Sequence, residues 1–106
     1  MSKYVIANGM LYASGQMADD PVPDFENQVE QILTKIDGQL NAAGIDRTHL
    51  VNVTIWIDDH RKWDRLNTVW DRWVPAAHKP ARTCVEARLA FPEYQVEIAI
   101  VASMTP

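Results

Sequence analysis

The chain has 106 residues, 47% of them apolar and 23% charged, enough to build one hydrophobic core and too few for two domains. Its formal net charge is −4 and its basic residues form no cluster, which argues against a nucleic-acid partner. A lone cysteine excludes an internal disulfide, and no stretch approaches membrane-spanning length, so a cytoplasmic protein with no membrane partner is expected.

The N-terminal segment reads as a hairpin, with Tyr4 to Ile6 and Met10 to Ser14 joined by Asn8-Gly9, a pair that accepts the positive φ of a tight turn. Leu11 and Ala13 share one face of its second strand, and Met10, Tyr12 and Ser14 the other. Gly15 ends that strand where a close approach would need it. After a polar loop from Met17 to Pro23, Asp24 is a good N-cap. Phe25, Val29, Ile32, Leu33, Ile36 and Leu40 then follow at helical spacing, and Gly44 closes the helix. Gly38 inside it costs roughly 1 kcal/mol relative to alanine.

A strand comes next, with Val51, Val53, Ile55 and Ile57 on one face and Leu50, Asn52, Thr54 and Trp56 on the other. Asp58 or Asp59 caps a second helix that runs to about Val74, before Pro75. Trp63, Leu66, Trp70 and Trp73 make its stripe, which reads as core with Trp70 or Trp73 able to reach a pocket edge. Asn67 lies on the flank, within reach of a loop.

Pro80 leads into a strand holding Arg82 and Cys84. Alternation assigns Thr83, Val85, Ala87 and Leu89 to the core, and Arg82, Cys84, Glu86 and Arg88 to the opposite face. In the last strand Val96, Ile98 and Ile100 form the apolar row, while Glu97, Ala99 and Val101 face away. On this reading Arg82, Cys84 and Glu97 converge on a helix-free face, where they can hold a small anion and supply a proton acceptor. An Arg at that position meets either an anion or a carboxylate such as Glu86, Glu97 or one from a neighbouring copy. That face is too apolar for open water, so self-association through it is expected. The fold class is α+β: a single domain, residues 1–106, with a mixed β-sheet and two α-helices packed on one face.

Other chemistries find less support. His49, His60 and His78 lie in three segments without metal-ligand spacing, and Asp58-Asp59-His60 reads as a helix N-terminus. No glycine-rich phosphate loop is present. Cys84 reads either as a structural thiol or as a reactive one whose pKa Arg82 lowers, with His78 a remote candidate base.

The run Pro80-Ala81-Arg82-Thr83-Cys84-Val85-Glu86, the Val96-Glu97-Ile98 that follows and Leu11-Tyr12-Ala13-Ser14-Gly15-Gln16 together resemble the RidA/YjgF family. Their order agrees with it, as does the spacing of 15 residues between Arg82 and Glu97. Val51 to Asp58 and the helix with Asn67 extend the resemblance to most of the chain. It implies a homotrimer of the chorismate-mutase-like fold, with pockets at subunit boundaries and no cofactor or metal. Deaminases of this family hydrolyse 2-imino acids, or their enamine tautomers, to 2-keto acids and ammonia. Carried over by motif, Arg82 holds the carboxylate of a small metabolite and Glu97 activates water. Cys84 offers backbone groups, and Ser14 and Gly15 close the other wall. Three positions depart from the pattern. A pocket tyrosine of the family falls at Met1, the Met17–Pro23 loop is short, and Ala99 replaces a second glutamate, which together suggest a divergent subgroup. The alternative implied is a non-catalytic module that binds a carboxylate-bearing metabolite. A ribonuclease, as some members have been described, is disfavoured by the acidic charge.

Overall fold

Asn8 and Gly9 both adopt positive φ, 52° and 73°, and so fold β1 (Tyr4–Ala7) onto β2 (Met10–Ala13). The computed structural model describes residues 1–105. α1 (Phe25–Ala42) begins at Asp24, whose carboxylate accepts the Asn27 N–H at 3.3 Å, and the chain leaves it through Gly44 at φ 82°. β3 (Leu50–Ile57) leads to a single 3₁₀ turn at His60–Lys62, capped by Asp59, and then α2 (Trp63–Trp73). β4 (Ala81–Glu86) and β5 (Val96–Ser103) complete the chain.

The five strands form one sheet in the order β1-β2-β5-β3-β4. All neighbours are antiparallel except β3 and β4, whose parallel pairing requires the crossover that α2 provides. Both helices pack on one face, and the core lies between, with Phe25, Val29 and Ile32 of α1 and Leu66 of α2 against Leu11, Val53, Ile55 and Ile98. Glu26 and Glu30 of α1 pair with Arg65 and Arg72 of α2 across the helix seam. No helix among the described residues is long and apolar enough to cross a membrane. The expected α+β arrangement, two helices on a mixed sheet, is what the chain adopts.

Two sequence-based assignments of strand facing are reversed. A β-bulge between Leu50 and Asn52 turns Leu50 into the core and leaves Val51 44% exposed, although Val51 fits the apolar row. The larger reversal is in β4. Its register pairs Arg82 with Val53, Cys84 with Ile55 and Glu86 with Ile57, all of which face the helices. Arg82, Cys84 and Glu86 therefore lie on the helix side, and Thr83 and Val85 on the open side, where both are exposed. β4 is an edge strand at the margin of the helix layer, so its inward row meets the flank of α2 rather than the core centre. The apolar-row rule fails there. The strand also stops at Glu86, leaving Ala87 and Leu89 in the following loop, though the Ala87 N–H still reaches the Ile57 carbonyl at 2.8 Å.

Gln28 is a fully buried polar side chain in α1. Its amide donates to the carbonyls of Val22 (2.8 Å) and Glu93 (2.9 Å) and accepts the Gln95 N–H at 3.0 Å. One side chain thereby ties the loop before α1 and the loop before β5 to the same helix turn.

Candidate active site

Arg82 is held by one face of α2. Residues 63, 67 and 70 fall at i, i+4 and i+7, so their side chains line up along the helix. The Arg82 guanidinium lies 5.0 Å from the Trp63 ring and 5.4 Å from the Trp70 ring, and its Nη1 donates to Asn67 Oδ1 at 2.8 Å. Asn67, assigned from sequence to a loop contact, instead serves Arg82. Trp63, assigned to the core, is 44% exposed. Trp73 leaves the site, stacking under Arg47 (5.0 Å) and donating from its indole to Asp37 at 3.1 Å.

No carboxylate reaches Arg82 among the described residues. Glu86 is engaged elsewhere, accepting the His60 backbone N–H at 2.8 Å and lying 2.9 Å from its imidazole. Those two contacts hold its carboxyl below the usual carboxylate range. Asp59, His60 and Glu86 come close enough together to resemble a metal triad that the sequence spacing did not suggest. Each already has an internal partner, since Arg61 takes both Asp59 oxygens and depresses its pKa.

Glu97 sits on the open face of β5, with Trp56 opposite it on β3. Its carboxylate lies against Gly15, where a Cβ would overlap Oε2 and stand 2.9 Å from Cδ. Gln16 pairs with Ile98 through N–H to carbonyl bonds of 2.8 and 3.0 Å, which fixes Gly15 beside Glu97. Ser14 is next to it, its hydroxyl donating to the Ser2 carbonyl at 2.6 Å. Gly15, Ser14 and Glu97 thus form one constellation. Arg82 and Cys84 form another, on the other side of the sheet. The expectation that Arg82, Cys84 and Glu97 share a face is not met within one chain, because the β3–β4 register turns Arg82 and Cys84 inward.

Cys84 is half-buried, packed against the core. Burial raises its thiol pKa, and the opposing pull of Arg82 is the smaller effect. The backbone of β4 offers more. The Ala87 N–H points to β3, so by strand alternation the N–H and C=O groups of Arg82, Cys84 and Glu86 point to the unpaired edge. A hollow of about 700 Å³ opens under the loop after β4, lined in part by Asp58, Arg88, Phe91 and Tyr94, but neither Arg82 nor Glu97 borders it.

A family model described as Endoribonuclease L-PSP matches residues 1–104. The chain belongs to the Rid/YjgF family. Relatives include a RutC family protein of Haemophilus ducreyi, 34% identical over 97% of this chain and 88% of that protein. The RutC family protein YoaB of Escherichia coli is 37% identical over 97% and 90%. Among solved structures, NMB1025 of Neisseria meningitidis, a member of the YjgF family, superposes with a TM-score of 0.95 at 39% identity, covering all of this chain and 88% of that one. A Rid family protein, YyfA of Yersinia pestis, gives 0.91 at 31% identity over 97% and 86%.

Proposed function

We propose that this Rid/YjgF protein hydrolyses small 2-imino acids, or their enamine tautomers, to 2-keto acids and ammonia, in a site completed by a second copy of the chain. The observation that carries the reading is a half-buried guanidinium with no carboxylate partner among the described residues, fixed beside a free strand edge. Such a group favours a planar anion, which a substrate carboxylate supplies in a two-pronged hydrogen bond. Family membership supports small-molecule processing in general.

Glu97 has no partner in the ion pairs among the described residues and sits half-buried beside Gly15, opposite Trp56. It lies on the opposite face of the sheet from Arg82, so both groups reach one substrate only if two copies meet. The open face provides the contact, since Val5, Tyr12 and Val85 are 53%, 50% and 43% exposed there. In the trimer that the family resemblance implies, β4 of one copy would lie against the Gly15–Glu97 constellation of the next.

In that arrangement the reaction needs positioning and one proton shuttle. An enamine first takes a proton at its β-carbon to give the iminium, the protonated imine. Glu97 accepts a proton from water as the water oxygen bonds to the imine carbon, giving a carbinolamine. The carboxylic acid then passes that proton to the amine nitrogen. The C–N bond breaks, its electrons leave with ammonia, and the hydroxyl passes its proton to the Glu97 carboxylate, which releases it to water, as the keto group forms. Carbonyls on the β4 edge orient the imine N–H, and Arg82 keeps the carboxylate in place throughout.

The test is a coupled assay in which a pyridoxal-phosphate dehydratase or an amino-acid oxidase generates imino acids in situ. Accelerated keto-acid release is expected from the wild type, falling about a hundredfold or more in Arg82→Ala, since two charge-assisted bonds are lost, and likewise in Glu97→Ala. No acceleration with several imino acids, from a folded and self-associated protein, overturns the enzyme and leaves a carboxylate-binding module. The net charge of −4 and the pairing of most arginines with acids offer no phosphate track for RNA.

A further inference from the structure

The protein contains two arginine–tryptophan stacks at the same 5.0 Å separation, and they differ in what meets the charge. Arg47 over Trp73 is neutralised by Asp37, which takes its Nε and Nη2 protons at 2.7 and 2.9 Å. Arg82 over Trp63 is met by the neutral amide of Asn67. The first arrangement is a closed structural ion pair. The second fixes a guanidinium and leaves its charge uncancelled.

We infer that Trp63, Asn67 and Trp70 form a clamp that sets the plane and direction of the Arg82 guanidinium for a ligand carboxylate, which makes Trp63 and Asn67 positioning residues of the site. The inference rests on the reading of Arg82 as the carboxylate ligand. The Asn67 oxygen takes one N–H, while a ring face attracts the cation without using any in-plane donor. The remaining N–H groups stay available to a fork of two carboxylate oxygens. A free arginine side chain loses rotamer freedom on binding, and holding it beforehand removes that cost from the binding step. Core packing does not account for Trp63, which is 44% exposed where Trp70 and Trp73 are buried.

The test is calorimetric titration of 2-oxobutanoate, a keto acid of the product class, with thermal unfolding measured in parallel. Asn67→Ala is expected to raise Kd about tenfold, as loss of one hydrogen bond to a charged group implies. Trp63→Leu should raise it about threefold to tenfold and Trp63→Phe far less, because a ring face remains. The deciding variant is Asn67→Asp, which offers Arg82 a stronger partner. If the clamp serves the ligand, this variant unfolds at or above the wild-type temperature yet binds more weakly than Asn67→Ala. If Asn67 only ties α2 to β4, Asn67→Ala lowers the unfolding temperature but binds as well as the wild type, and the clamp is overturned. Wild-type binding that is absent, or unchanged by Arg82→Ala, instead overturns the reading of Arg82 itself and removes the ground of the clamp.

Discussion

Glu97 keeps its position because residue 15 has no side chain. Adding one methyl at Gly15 forces the carboxylate aside, and this is cheap for the fold because the obstructing group is the end of a flexible side chain. Gly15→Ala should therefore leave the unfolding temperature close to wild type while cutting imine hydrolysis about a hundredfold, the usual cost of a misplaced reacting group. An unchanged rate would separate Glu97 from the chemistry. The thiol of Cys84 makes a second prediction at this scale. Burial outweighs the pull of Arg82, so the folded protein carries less thiolate at neutral pH than an unperturbed cysteine. Its alkylation by iodoacetamide should be slow at pH 7.5 and rise to a midpoint above about 8.5, the ordinary thiol value. A midpoint below that would mark an activated nucleophile. The need for a residue without a Cβ was legible in the Ser-Gly-Gln motif, but the identity of its neighbour was not. That depends on the Gln16–Ile98 bridge, which joins residues far apart in the chain.

At the level of the elements, helices and most strands follow from local pattern. The α1 stripe, its Asp24 cap and the Asn8-Gly9 turn are all encoded by residues within a few positions of one another. β4 shows where that legibility ends. Its apolar row of Thr83 and Val85 faces the open side, because facing in an edge strand is set by register with β3 and by whatever covers each side. The bulge at Val51 is the same failure at smaller scale. Gln28 gave no signal either, since a glutamine in a helical pattern reads as surface. Its bonds to Val22, Glu93 and Gln95 make it the joint between α1 and the segment that delivers β5. Gln28→Leu should destabilise the fold by roughly 2–3 kcal/mol, because buried backbone groups lose their partners. Urea unfolding would measure this, and a loss below about 0.5 kcal/mol would mean that water replaces the amide freely.

The whole molecule carries its two constellations back to back, Arg82 with Cys84 on the helix side and Glu97 with Gly15 on the open side. Neither face alone resembles a complete site, and the open face is broad and partly apolar. Val101 lies on that face beside Tyr12 and Asn52, where a charge covered by a second copy would be costly. If the copies assemble in the proposed trimer, Val101→Asp should reduce the mass in sedimentation from near three times the chain's 12.0 kDa to that of a single chain, and abolish the proposed hydrolysis with it. Retained activity in a monomer would mean that one chain suffices. The central claim, that one substrate is served by Arg82 of one copy and Glu97 of another, is tested most directly by subunit mixing. Arg82→Ala and Glu97→Ala proteins, each inactive alone, would be unfolded together, refolded as mixed assemblies and assayed. The account predicts recovery of about a quarter of wild-type activity, the share of interfaces that unite an intact Arg82 with an intact Glu97 in random assembly. Mixed assemblies that form but stay as inactive as either variant alone would contradict it, placing both groups in sites built from a single chain.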